Sequence, residues 1–198
     1  MNPDVRAHLD NIRSNDRAVQ GAAYQTLIAD TRESVDWAYE AWDELVRDLA
    51  STDNRLRSIA SQLLANLAAK SDPRNRIAKD FDTLLNVTRD EKFVTARHAL
   101  QAIWKVGLAG SKQKKTLLKG LALRFTECAP EKNSSLIRYD IIECLRNLYD
   151  ASHDEKIRRI AFDWIESEPD AKYRKKYAGL FSRGTSAAQP VQVAAIAL

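Results

Sequence analysis

The sequence predicts an all-α fold, a right-handed α-solenoid of about five antiparallel helix pairs, from three observations. An apolar stripe at helical spacing recurs along the chain, an Asp or Ser stands three residues before several of those stripes, and the connections between stripes are short. One helix pair has too little surface to cover its own stripe. Stacking against the next pair supplies the cover, at about 1.5–3 kcal/mol for each large apolar side chain removed from water. No stretch requires a strand.

The first helix, over residues 4 to 14, carries Val5, Leu9 and Ile12 and is short enough to cap the stack. Asp16 stands three residues before Val19, where its carboxylate can accept from free backbone N–H groups. The second helix then runs through Val19, Ala22, Ala23, Thr26 and Leu27 to about Asp30. A third reads Val35, Ala38, Trp42, Leu45, Val46 and Leu49, with Trp37 and Tyr39 off its stripe. Asp53 repeats the Asp16 offset 37 positions later, and Leu56, Ile59, Ala60, Leu63, Leu64 and Leu67 form the clearest stripe of the chain. Ser71, Asp72 and Pro73 break the chain, with Pro73 suited to a first helical turn, before Ile77, Phe81, Leu84 and Leu85. Asp90 opens a sixth helix, read as Phe93, Ala96, Leu100, Ile103 and Gly107, beside a second apolar line of Val94, Ala99 and Trp104.

Gly107 to Ser111 ends that helix, and a seventh carries Leu117, Leu118, Leu121, Ala122 and Phe125 up to Pro130. Ser134 precedes the stripe of Ile137, Ile141, Cys144, Leu145 and Leu148, and Asp154 precedes Ile157, Ile160, Ala161, Trp164 and Ile165. A last helix begins near Pro169 with Tyr173, Tyr177, Leu180 and Phe181. The solenoid thus occupies residues 1–182, and residues 183–198, with Gly, Ser, Ala, Gln and Pro190, read as a flexible tail.

At 198 residues, 44% hydrophobic and 29% charged, the chain suits one folded unit with a continuous core. The net charge of +4 is uneven. Residues 1–50 hold five Arg against ten acidic residues, a balance of −5, which leaves +9 beyond. That polarity allows head-to-tail association of copies. No signal peptide or long apolar span is read, so the expectation is a soluble cytoplasmic protein without a membrane partner. Cys128 and Cys144 read as buried reduced thiols, in keeping with that compartment.

Leu56-Arg57-x-Ile59-Ala60, Ile137-Arg138 and Ile157-Arg158-x-Ile160-Ala161, each after an Asp or Ser turn, resemble the second helix of HEAT repeats. Over residues 1–182 the chain is similar to a small solenoid of the HEAT or armadillo type. The resemblance implies an Asp–Arg ladder between repeats: Asp53 with Arg57 and Asp154 with Arg158 match it, whereas Ser134 replaces the Asp before Arg138, and Gln20 replaces the Arg after Val19. It also implies a range of functions, from protein scaffolds and adaptor subunits to subunits acting on tetrapyrrole pigments and alkylpurine DNA glycosylases. A shared fold does not choose among them.

Catalytic and metal chemistry find little support. His8, His98 and His153 stand apart without a ligand at metal spacing, so neither a metal nor another cofactor is expected. Gly107 to Lys112 lacks the glycine order and preceding strand of a phosphate loop, and Cys144 on an apolar stripe lacks the exposure of a nucleophile. No catalytic residue is assigned. For partner binding, Tyr139, Glu143 and Arg146 form a mixed polar stripe that Gln101 and Lys105 continue on the neighbouring pair, on the side expected to be concave. Two basic clusters, Lys112, Lys114, Lys115 and Lys119, and Lys172, Arg174, Lys175 and Lys176 among Tyr173 and Tyr177, read either as a phosphate-contacting strip or as a solvated face. A glycosylase-like groove would draw on Trp104, Arg138, Asp163 and Trp164. The expected function is a non-enzymatic scaffold or adaptor binding a protein on its concave face; the alternative is a nucleic-acid-binding or DNA-repair solenoid.

Overall fold

The computed structural model describes residues 1–182, and their regular structure is entirely helical. The expected tail, residues 183–198, lies outside the described residues. The α-helices are α1 (Pro3–Asn11), α2 (Arg17–Asp30), α3 (Ala38–Asp48), α4 (Asn54–Lys70), α5 (Ile77–Asn86), α6 (Phe93–Ile103), α7 (Ser111–Glu127), α8 (Ser134–Ser152), α9 (Glu155–Glu166) and α10 (Ala171–Ser182). Short 3-10 turns extend α5 (Val87–Arg89) and α6 (Trp104–Leu108). No helix among the described residues is long and apolar enough to cross a membrane.

The helices pack in two rows. α2, α4, α6, α8 and α10 contact one another in that order, and each odd-numbered helix packs on the even one that follows it. α7 packs as well against the turn that extends α6. In the odd row, α3 touches α5 and α5 touches α7. Side chains close its two ends: Arg6 of α1 and Arg13 just after it pair with Glu44 and Asp48 of α3, and Phe125 of α7 stacks on Trp164 of α9 at 5.5 Å. The core runs between the rows and includes the fully buried Trp42, whose indole N–H donates to Asp80 at 2.8 Å.

The most central helix is α4. Its sequence allows this because small residues, Ser58, Ala60, Ser61, Ala65 and Ala68, lie between its leucines and let neighbours approach from several sides. In α2 the buried line is Gln20, Ala23, Tyr24, Leu27 and Ile28, one residue along from the stripe read in the sequence, and Val19 is exposed. Gln20 can be buried there because its amide donates to the Ile12 carbonyl at 2.8 Å. Polar residues with buried partners therefore mislead a reading by hydrophobicity alone.

Asp16, Asp53 and Asp154 cap α2, α4 and α9 as the offset predicts, accepting from backbone N–H groups at 2.8–3.2 Å, 2.9 Å and 3.0 Å. Ser134 makes no such cap; it is the first residue of α8, behind Asn133. Pro73 lies in the turn ahead of α5, where Asp72 accepts from the backbones of Arg76 and Ile77.

The even row is laced by polar side chains. Gln20 donates to Asp53 at 3.3 Å, Arg57 grips Asp90 at 2.5 and 2.9 Å, Arg97 grips Asp140 at 2.7 and 2.9 Å, and Arg138 reaches Glu168 at 2.9 Å. Each rung joins one even helix to the next or to the residues just before it. Arg57 thus pairs forward rather than with Asp53, and Gln20 forms a rung although it is no arginine. Arg158 contacts Glu155 within its own helix, so Asp154 and Arg158 form no rung.

Candidate functional site

Where the acidic half of the chain spends its charge decides where a site can lie. Arg6 and Arg13 hold Glu44 and Asp48, Arg76 holds Asp43, and the amino terminus holds Glu40, all on the odd row. Four of the ten acidic residues of residues 1–50 are thus paired along α3. The charge asymmetry seen in the sequence lies between rows as well as between ends.

On the even row the balance is reversed. Arg55 of α4 lies half-buried across Gly21 of α2, pairs with no carboxylate among the described residues, and has its Nε buried without a hydrogen-bond partner. Lys105, in the turn after α6, is half-buried with its ammonium 2.5 Å from Oδ1 of Asn66 and no carboxylate within ion-pair distance. Burial, with a smaller contribution from the Arg32 charge, lowers its pKa to about 8. A polar seam crosses the same helices: Tyr24 Oη donates to Gln62 Oε1 at 2.9 Å, Gln62 donates to the Ser58 carbonyl at 3.1 Å, and Ser58 Oγ meets His98 Nδ1 at 2.8 Å. Burial lowers the pKa of His98 and raises that of Tyr24.

The residues expected on the concave face divide. Gln101 sits half-buried on α6, one turn before Lys105. Tyr139 of α8 is half-buried under the Lys176 ammonium of α10, 4.9 Å from its ring, and beside the Tyr177 ring at 6.2 Å. Glu143, one turn further along α8, lies close enough to Arg97 to reinforce its positive charge, which the hydrogen bonds to Asp140 already hold above its usual pKa. Arg146 departs from the expected exposed stripe: it is 9% exposed, donates to Asp150 at 2.7 Å and to the Leu180 carbonyl at 2.9 Å, and covers the Phe181 ring. Arg146 docks α10 onto α8.

The basic clusters stand on different rows. Lys112, Lys115 and Lys119 are exposed on α7, while Lys114 of the same helix turns to Asp154 at 3.0 Å. Lys172, Lys175 and Lys176 are exposed on α10, with Arg174 half-buried between them, and Lys176 joins the face of Tyr139. The four glycosylase-type residues do not meet in one groove. Arg138 and Trp164 both contact Phe125, Asp163 is exposed on α9, and Trp104 belongs to the turn after α6.

Arg55, Gln62 and Asn66 escape a reading by periodicity because α4 is apolar on most sides, and Arg32 because it lies in the turn after α2. Asn66 carries the one usable signal, a carboxamide inside the run Leu63, Leu64, Ala65, Asn66, Leu67, which demands a buried partner. No protein-family model and no curated protein matches the chain.

Proposed function

We propose that the chain is a HEAT-like, right-handed α-solenoid of about five helix pairs, acting as a non-enzymatic scaffold or adaptor that binds an acidic protein partner on its even-numbered helices. The two-row packing supports the architecture: even helices follow one another, odd helices back them, and side-chain rungs from Gln20, Arg57, Arg97 and Arg138 recur every 37–41 residues. The observation that carries the function is the pair of half-buried cations, Arg55 and Lys105, left without carboxylates on a face where Tyr139, Gln62 and Gln101 supply an aromatic and neutral hydrogen-bonding groups. Isolated cations seated between helices suit single acidic side chains. The free buried thiols of Cys128 and Cys144 suit a reducing, cytoplasmic setting.

A nucleic-acid reading draws on Lys172 and Lys176, which join the same face. It is weakened by the separation of the α7 and α10 lysines, which support no single phosphate track. The two readings part in a fluorescence anisotropy titration with duplex and single-stranded DNA at two salt concentrations, run beside capture of protein partners by cross-linking. The protein-scaffold reading expects weak DNA binding, and a captured partner lost by K172E/K176E but kept by K112E/K115E/K119E. Tight DNA binding that falls steeply with salt would replace it with the nucleic-acid reading.

A further inference from the structure

The geometry around Lys105 points to a carboxylate-binding site at the junction of α2, α4 and the turn after α6, in which the Lys105 ammonium and the Arg32 guanidinium receive an acidic side chain of the partner. The inference rests on the partner-binding reading of this face and names the group it recognises.

The site is built from inside. Thr31, at the end of α2, is 1% exposed and its hydroxyl donates to the Leu27 carbonyl at 2.7 Å, so its oxygen is left to accept. Asn66, 3% exposed, donates its amide to that oxygen at 3.0 Å. This fixes the orientation of the carboxamide: Nδ2 faces Thr31 and Oδ1 faces Lys105. The Lys105 ammonium donates one hydrogen to Oδ1, and among the described residues nothing accepts the other two. Asn66 is neutral, so it aligns the ammonium without cancelling its charge.

The charge that acts on Lys105 is another cation, Arg32, the residue after the Thr31 that Asn66 holds, and it is exposed and also pairs with no carboxylate among the described residues. Two cations gathered without an acid are unfavourable to each other, and an incoming carboxylate relieves both. Arg32 offers a planar fork from the solvent side, and Lys105 a fixed donor from the floor. The hydrogen-bonded pair of Tyr24 and Gln62 borders the site on α2 and α4, and Arg32 is close enough to act on Tyr24 as well. A carboxylate that binds must raise the pKa of Lys105 from about 8, because it favours the charged form.

The test uses the full chain with lysine labelled at 13Cε and a blocked hexaglutamate peptide as probe, at low salt. The Lys105 resonance, assigned by its loss in K105M, is expected to titrate near pH 8 alone and higher with the peptide. The ammonium form binds more tightly than the neutral amine, so affinity is expected to fall by up to about tenfold from pH 7 to pH 9.5 as that form disappears. K105M is expected to lose about tenfold in affinity, and K105R to retain most of it. Peptide binding that leaves the Lys105 resonance unmoved and is equal in K105M overturns this site, while leaving the face available to a partner elsewhere. No peptide binding at low salt overturns the carboxylate assignment, as does a Lys105 shift with inorganic phosphate but not with the peptide. Failure of the partner-binding reading shows up separately, as capture that survives charge reversal at Lys172 and Lys176.

Discussion

Arg97 holds Asp140 through both carboxylate oxygens although the acid side chain is 0% exposed and the arginine 36%. Burial pushes the Asp140 carboxyl up, and the Arg97 hydrogen bonds draw it part of the way back. Removing the arginine alone leaves a buried acid with its main partner gone. R97M is expected to cost about 3–5 kcal/mol in urea unfolding, whereas R97M/D140L is expected to regain most of that loss. A single-variant cost below about 1 kcal/mol would show that solvent, not Arg97, satisfies the acid.

The helices were legible because their apolar residues keep a 3.6-residue period and because Asp16, Asp53 and Asp154 announce the starts of α2, α4 and α9. The face was less so. Arg146 looks like a surface residue by type, yet it is buried by the Leu180 carbonyl and the Phe181 ring, partners 34 and 35 positions away. Lys105 was singled out for its spacing. Its significance comes from Asn66 and Arg32, which no local pattern connects to it. Side-chain polarity is visible in a sequence, but whether a charge finds a partner is a tertiary property.

Two glycines in helices should respond oppositely to alanine. A Cβ on Gly120 would lie 2.7 Å from Leu85 Cδ2 and 3.1 Å from Phe81 Cε1, at the contact of α7 with α5. G120A is expected to cost about 1–3 kcal/mol, since those side chains must leave their positions in a packed core. A Cβ on Gly179 would meet nothing within 4 Å. G179A in α10 is expected to gain about 0.5–1 kcal/mol by restricting the unfolded chain. Equal midpoints for the two variants in thermal unfolding would contradict this.

Asp53 serves α4 and α2 together, accepting from the Arg55 N–H at 2.9 Å and from the Gln20 side chain at 3.3 Å. Burial raises its pKa, but these hydrogen bonds together with the Arg17 charge and the Leu56 N–H outweigh it, and the pKa lies below the usual 3.8. Because its folded pKa is depressed, its contribution is present above pH 3.8 and is lost as pH falls through the folded value. D53A is expected to cost about 1–2 kcal/mol at pH 7, D53N less than half of that, and the D53A deficit to shrink below pH 4. Chemical unfolding at pH 7 and pH 3 checks both statements, and a deficit unchanged at pH 3 would mean that the carboxylate charge contributes nothing.

Lys105 gives a pH dependence of the same sign in a higher window. Its pKa is about 8 in the folded chain against 10.5 ordinarily, so between those values the unfolded chain binds more protons than the folded one. Stability from this group therefore rises with pH from about 8 to 10.5, and is flat below and above. K105M has no such group and also loses the hydrogen bond to Asn66. That loss is constant with pH, so the informative quantity is how the stability difference between wild type and K105M changes from pH 7.5 to pH 10.5. Wild type is expected to gain about 2–3 kcal/mol relative to the variant over that range in urea unfolding. Other titrating groups move both proteins alike and cancel in the difference. Parallel stability curves would mean that the ammonium is as well solvated in the fold as in the open chain, and the desolvation that sets Lys105 apart would have to be given up.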